Sequence, residues 1–336
     1  MSDELLTSLL RDVSRSFYLT LRVLPRAVRD QIGIAYLLAR TTDTIADTEI
    51  VPVGSRLEAL SALRRRIRGE SGVALPFLKW QQPGGSEREQ VLLARCEESV
   101  RLLEHLEEAD RTRGREVLET IVGGQELDLK RFNGGSVERI VALKTWDELD
   151  DYTYRVAGCV GEFWTKMCRA HLIAGAEIDD KAFVEKGIRF GKGLQLVNIL
   201  RDIPKDLRIG RCYIPQALLT QSGLTPQSLL LAENEGKFRP VYNQLLNAAK
   251  SHLAAGWEYT LLIPHEQMRL RLACAWPLLI GARTLERLRV ENMLDANRRV
   301  KVSRAEVRGI MLRSVVLYPW QTLWQHQFNK EAQRGE

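Results

Sequence analysis

"GLQLVNILRDIPKDLRIGRCYIP", residues 193–215, holds the pattern that decides the fold. Gln195, Asn198, Asp202 and Asp206 recur three or four residues apart, among Leu194, Leu196, Val197, Ile199 and Leu200. Positions at that spacing share one face of an α-helix. A stripe of polar residues between apolar neighbours is hard to explain as plain surface. Pro204 sits inside the stripe. Proline removes a helical hydrogen bond, clashes with the preceding turn and disfavours α geometry at the residue before it, here Ile203. The helix is therefore expected to bend or end before Asp206.

The same spacing occurs earlier, in "YLLARTTDTIAD", residues 36–47, where Asp43 and Asp47 stand four apart behind an apolar run. Side chains four apart lie about 6 Å from one another on a helix. Two such carboxylates repel, and burying even one without compensation is costly. Each edge needs cations. Arg40 and Arg201 stand beside the acids, and Mg²⁺ prefers carboxylate oxygens while binding substrate phosphates. One acidic edge alone is most often a solvated face. Two edges facing across a cavity would make a cage for Mg²⁺ and a diphosphate.

Elsewhere, apolar residues at three- and four-residue intervals dominate the 336 residues, as in "REQVLLARCEESVRLLEHLEEADRTRGREVLETIVGGQELDL" and "VYNQLLNAAKSHLAAGWEYTLLI". Strand-like alternation is confined to a few residues around "RCYIP". The expected fold class is all-α. With 45% hydrophobic residues the chain can bury a large core. No long linker or internal repeat divides it, so a single domain over 1–336 is expected, with a core at about 8–290 and a C-terminal helical extension at 291–336. Arg64, Arg65 and Arg66 read as a solvated helix face. Trp320 and Trp324, near Tyr318 and Phe328, read as a packed C-terminal helix in preference to a membrane belt.

The net charge of +6 suits phosphates, a membrane surface or nucleic acid and selects none of them. No nucleic-acid-binding motif is present, and nucleic acid is not expected as a partner. Five widely spaced cysteines without a CxxC argue against a disulfide framework or a zinc site. They read as reduced, buried thiols of a cytoplasmic protein. The N-terminus is not a signal peptide, and no apolar run reaches the ~18–20 residues of a membrane span. Peripheral membrane contact stays open.

At this point four blocks together resemble the squalene/phytoene synthase family, over roughly residues 8–290. They are "SRSFYLTLRVLP" (14–25), "YLLARTTDTIAD" (36–47), "DYTYRVAGCVGEF" (151–163) and residues 193–215. The resemblance implies the all-α isoprenoid synthase fold, with the two acidic motifs on opposite walls of a central cavity. It implies Mg²⁺ held by Asp43 and Asp47 from one wall and by Asn198, Asp202 and Asp206 from the other. Arg40 and Arg201 would bind diphosphate. Ser14, Ser16 and Phe17 match the segment at the substrate end. Tyr152 matches a tyrosine near the reacting carbons, and Gln195 a polar residue on the cavity wall. Arg211 and Tyr213 match the "GR.Y" that closes over a diphosphate.

Two departures stand out. Lys205 occupies a position usually acidic in the family, where it either contacts diphosphate or points to solvent. The first motif lacks a second adjacent acid, for which Glu49 is a partial substitute. The activity implied is head-to-head coupling of two farnesyl diphosphates to presqualene diphosphate, then NADPH reduction to squalene. Phytoene, dehydrosqualene and hydroxysqualene are the products of the other branches. A helical protein that binds prenyl lipids without chemistry is the non-enzymatic alternative. No GxGxxG follows a strand to announce NADPH, and squalene synthases of the family also lack one. Oligomeric state is not read from the sequence.

Overall fold

The computed structural model describes residues 5–14, 17–80, 86–295, 298 and 300–332, with Phe17 described by its backbone alone. The chain is all-α. The only strands among the described residues are β1 (Val141–Ala142) and β2 (Arg211–Cys212), paired in parallel with Val141 opposite Arg211. This is the "RCYIP" region where alternation is expected. The residues group into two compact units, 1–133 with 163–175, and 134–162 with 176–336.

In the first unit, helix α1 (Arg26–Asp47) packs against α2 (Val53–Ile67) and α3 (Glu108–Arg131). Pro25 precedes α1, where its missing N–H costs nothing. Val28, Ile32, Leu37, Leu38 and Ile45 bury one side. The polar turn "RTTDT" is buried because its hydroxyls bond back along the helix: Thr41 to the Leu37 carbonyl at 2.9 Å, and Thr44 to the Arg40 carbonyl at 2.9 Å. Such back-bonding satisfies a threonine hydroxyl without an external partner. At the other end, buried Arg56 of α2 donates from Nη1 to the Ala46 carbonyl at 2.7 Å, satisfying one of the orphan carbonyls that end α1.

In the second unit, α4 (Trp146–Thr153) is capped by Thr145, whose hydroxyl accepts from the Glu148 N–H at 3.3 Å. A π-helical turn, Tyr154–Gly158, follows. The long helix α5 (Asp180–Arg208) begins at Asp179, whose side chain accepts from the Lys181 and Ala182 N–H groups. It packs against α6 (Glu235–Leu262) and α7 (Met268–Val290). The "VAGCVG" block lies close against α5. A Cβ on Gly161 would stand 1.9 Å from the Gly187 carbonyl oxygen, and one on Gly191 2.1 Å from that of Ala157, so only glycine fits either position.

The chain end also packs here. Trp324 is buried, its ring 4.9 Å from that of Trp257, and its indole N–H donates to the Ser314 carbonyl at 3.0 Å. The packed reading therefore holds for Trp324 but not for Trp320, which is 57% exposed. All five cysteines are free and buried. No helix among the described residues is long and apolar enough to cross a membrane.

Candidate active site

Both acidic edges form. On α1, Asp43 and Asp47 are the solvent-reachable positions of a turn whose other residues, Thr41, Thr42, Thr44, Ile45 and Ala46, are buried. Gln125 of α3 donates to an Asp43 carboxylate oxygen. Half of the Asp43 side-chain surface stays open, yet protein packs densely around the rest. That withdrawal from water raises its pKa to about 6, with the Asp47 charge adding to the effect. Arg40 and the Gln125 hydrogen bond pull the other way. Arg40 stands 3.8 Å from Asp43 and is drawn more closely to Glu89, at 2.6 Å. The edge is left with more negative charge than its arginine offsets. Glu49 is exposed but lies past the helix end at Thr48, so it does not continue the edge.

On α5, Gln195, Asn198, Asp202 and Asp206 all reach solvent, while Leu196, Val197, Ile199, Leu200 and Ile203 are buried. The stripe exists as the spacing predicts. Here the arginine is committed. Arg201 forks onto Asp202, from Nε to Oδ1 at 2.9 Å and from Nη2 to Oδ2 at 2.8 Å. Lys205 is exposed, as is Asn198 of the same stripe.

The helix does not end at Pro204. It runs on to Arg208, and of the two outcomes expected there the ending is overturned. The physical reason lies on α6. Pro204 has no N–H for the Leu200 carbonyl, and the Tyr242 hydroxyl donates to that carbonyl at 3.1 Å.

Four of the expected site residues, Tyr152, Asp206, Arg211 and Tyr213, gather near β2. The Tyr152 ring of α4 stacks on Tyr213, centroids 4.5 Å apart and planes 26° apart. Asp206, Arg211 and Tyr213 line a small recess with Ile199 and Ile203. Gly210 makes the approach possible. Its φ is +76°, and a Cβ there would stand 2.1 Å from the Ser136 nitrogen. Ser14 is buried at the end of a short helix, its hydroxyl without a hydrogen-bond partner among the described residues. Ser16 and the Phe17 side chain lie outside the described residues.

Several groups escape the sequence reading. Lys192 lies one turn before Gln195 on α5 and holds both Asp150 carboxylate oxygens at 2.7 Å. Its spacing from Gln195 was the available signal. Tyr154, on the π-helical turn, donates to Glu162 at 3.0 Å, and burial foremost raises its pKa to about 12. π-Helical turns often mark functional sites. Gln125 gives no local signal at all, being 82 residues from Asp43.

The residues fit a divalent cation unevenly. No cluster of three or more His, Cys, Asp or Glu exists among the described residues. Each edge offers two carboxylates, all oxygen donors, as Mg²⁺ prefers. At Asp43 and Asp47 a cation would relieve a repulsion that the protein leaves in place. At Asp202 it would have to share the carboxylate with Arg201 or displace it.

Comparison with known proteins identifies the family and the fold. The squalene/phytoene synthase family matches residues 10–306. The chain is 29% identical over 242 residues to a presqualene diphosphate synthase of Rhodopseudomonas palustris, covering 71% of this chain and 72% of the relative. A bifunctional lycopene cyclase/phytoene synthase of Phycomyces blakesleeanus is 29% identical over 272 residues, 79% of this chain. The chain spans only 42% of that relative's length. Among solved structures, TcSQS in complex with the ligand E5700 superposes with a TM-score of 0.76 at 19% identity, covering 100% of both chains. The squalene synthase HpnC from Alicyclobacillus acidocaldarius does so at 0.58 and 21%, covering 87% of this chain and 94% of that one. These likenesses show the isoprenoid synthase fold.

Proposed function

Since the chain belongs to the squalene/phytoene synthase family, we propose that it couples two farnesyl diphosphates head to head through presqualene diphosphate and takes the product on to squalene. The observation that carries this reading is the pair of solvent-reachable acidic edges, each with an arginine beside it, on helices far apart in the chain. In the proposal both edges act on one substrate, as the family resemblance implies. Asp43 and Asp47 hold Mg²⁺ from one side, and Asn198, Asp202 and Asp206 from the other. Bound there, Mg²⁺ would neutralise the charge that builds on a departing diphosphate.

The chain's own groups do the rest. Arg40 and Arg201 turn from Glu89 and Asp202 to the diphosphate oxygens, adding fixed positive charge where negative charge develops. Arg211 closes the diphosphate end beside Tyr213. Gln195 orients substrate from the cavity wall, and the resemblance assigns Ser14, Ser16 and Phe17 to the segment at the substrate end. Apolar walls keep water from the carbocation left behind. Tyr152, held by its stack on Tyr213, lies near the reacting carbons and assists the proton that must leave. The reductive half rests on the family resemblance alone. The two two-residue strands make no Rossmann-type dinucleotide crevice.

A lipid product gives meaning to the chain end. Helix α8 (Arg304–Val316), the turn after it and the short helix Gln321–Gln325 expose Leu312, Val316, Trp320 and Leu323, each more than half open to solvent. Arg304 and Arg308 are exposed at the other end of α8, with Arg308 one turn before Leu312. An apolar face with flanking arginines suits an anionic bilayer surface. Sedimentation with phosphatidylserine-containing liposomes is the check. Leu312→Glu with Trp320→Glu should abolish co-sedimentation without lowering turnover in detergent, and equal partitioning would sink the idea.

The functional test is incubation with farnesyl diphosphate and Mg²⁺, with and without NADPH. Squalene only with NADPH is expected. Accumulated presqualene diphosphate, as the Rhodopseudomonas palustris relative's name describes, would stop the reading at the first half-reaction. Phytoene from geranylgeranyl diphosphate would move it to another branch. No turnover of any prenyl diphosphate would leave the lipid-binding alternative.

A further inference from the structure

The groups around Pro204 carry more than the continuation of a helix. In a regular helix the Leu200 carbonyl accepts from the N–H of residue 204. Here residue 204 has none, and Leu200 is fully buried, away from water. An orphaned buried carbonyl would favour unwinding the turn that carries both acids, with Asp202 two residues before Pro204 and Asp206 two after. The Tyr242 hydroxyl stands 3.1 Å from that carbonyl. Tyr242 is itself buried, with 1% of its surface exposed. It is fixed by Phe238, whose ring lies 5.5 Å away, and by the Arg239 guanidinium 5.3 Å over its ring. A tyrosine at this depth needs a partner for its hydroxyl, and among the described residues the vacated carbonyl supplies it.

We propose that Tyr242 is a positioning residue for the second acidic edge: its hydroxyl replaces the hydrogen bond that Pro204 removes and so keeps Asp202 and Asp206 on one helical face. The two residues then form a compensating pair, proline on α5 and tyrosine on α6. Burial raises the phenol pKa, so the hydroxyl stays a donor throughout the working pH range. The metal-binding consequence rests on the proposed function. The hydrogen bond and its effect on the helix do not.

Two variants test this, Tyr242→Phe and the double variant Tyr242→Phe/Pro204→Ala. The alanine restores an N–H for Leu200 without the tyrosine. Two readouts are used: amide exchange over residues 202–208, and Mn²⁺ affinity by electron paramagnetic resonance with inorganic diphosphate present. Tyr242→Phe should speed exchange over this turn and weaken Mn²⁺ binding by about tenfold, the size expected for a lost buried hydrogen bond. The double variant should return both to within about twofold of wild type. If Tyr242→Phe alone fails to fold, the double variant should still fold.

A merely space-filling tyrosine predicts something else. Its loss would lower the melting temperature and leave Mn²⁺ affinity and local exchange unchanged. That result would overturn the proposal, as would a double variant no better than the single one. Wild-type protein that binds no Mn²⁺ would reject the functional reading instead, and rescue of exchange by Pro204→Ala would still establish the compensating pair.

Discussion

The two acidic edges have the same spacing and opposite electrostatics. On α1, Asp43 is crowded by Asp47 while its nearest arginine leans to Glu89. On α5, Asp202 is already clamped by Arg201 with two short hydrogen bonds. The first edge leaves charge for a cation to offset, whereas the second must give up an internal partner before it can bind one. An i,i+4 acid pair in sequence is therefore only half of a description. What each pair can do depends on where its arginine goes, to Glu89 49 residues away for Arg40 and to the adjacent Asp202 for Arg201.

The largest expected effects come from deleting one charge at each edge. Asp43→Asn and Asp202→Asn should each lower turnover of farnesyl diphosphate by at least about 10²-fold, the scale of losing preorganised charge at a developing anion. Their folding stabilities should diverge. Asp43→Asn removes a like-charge pair and should be neutral or stabilising by about 0.3 kcal/mol. Asp202→Asn strips Arg201 of its partner and should not stabilise. Equal stability changes in thermal melts would erase the electrostatic contrast.

The supports of the two edges can be broken separately. Gly161→Ala drives a methyl into the Gly187 carbonyl beneath α5 and should cost about 3 kcal/mol. Arg56→Gln uncaps the Ala46 carbonyl at the end of α1 and should cost about 2 kcal/mol. Denaturant midpoints measure both. A Gly161→Ala protein as stable as wild type would mean that the close approach is not obligatory.

Much of this was legible in the sequence. The helical periodicity, the two edges, the α5 stripe and the strand at Arg211–Cys212 follow from spacing and neighbouring residue types. The partners were not legible, because local pattern carries no information about contacts 42 to 82 residues away. Glu89 on Arg40, Gln125 on Asp43 and Tyr242 on Leu200 are of this kind. Pro204 shows the consequence. Local rules favour a bend or an end, and a hydroxyl 42 residues beyond Leu200 supports the helix past the expected end. Trp320 and Trp324, four apart, split between surface and core because the turn over 317–320 redirects the chain after α8.

The smallest expected effect concerns pH in the unit that carries the second edge. Burial first, then the Arg189 and Lys192 charges, lower the His252 pKa from 6.5 to about 4, against the pull of Asp150. The unfolded chain therefore takes up a proton before the folded one does. Stability should be complete above about pH 6.5 and decline as pH falls towards 4. His252→Gln should flatten that decline in melting temperature. An unchanged slope would exclude His252 as its source.

The central claim is that both edges grip one cluster of metal and diphosphate. Mn²⁺ affinity in the presence of inorganic diphosphate, measured for wild type, Asp43→Asn, Asp202→Asn and the double variant, tests it most directly. Edges that share one cluster predict that each single change weakens binding strongly and that the double variant is little worse than either. Losses that simply add, or one variant that binds like wild type, would show that the two edges act apart and would contradict the account.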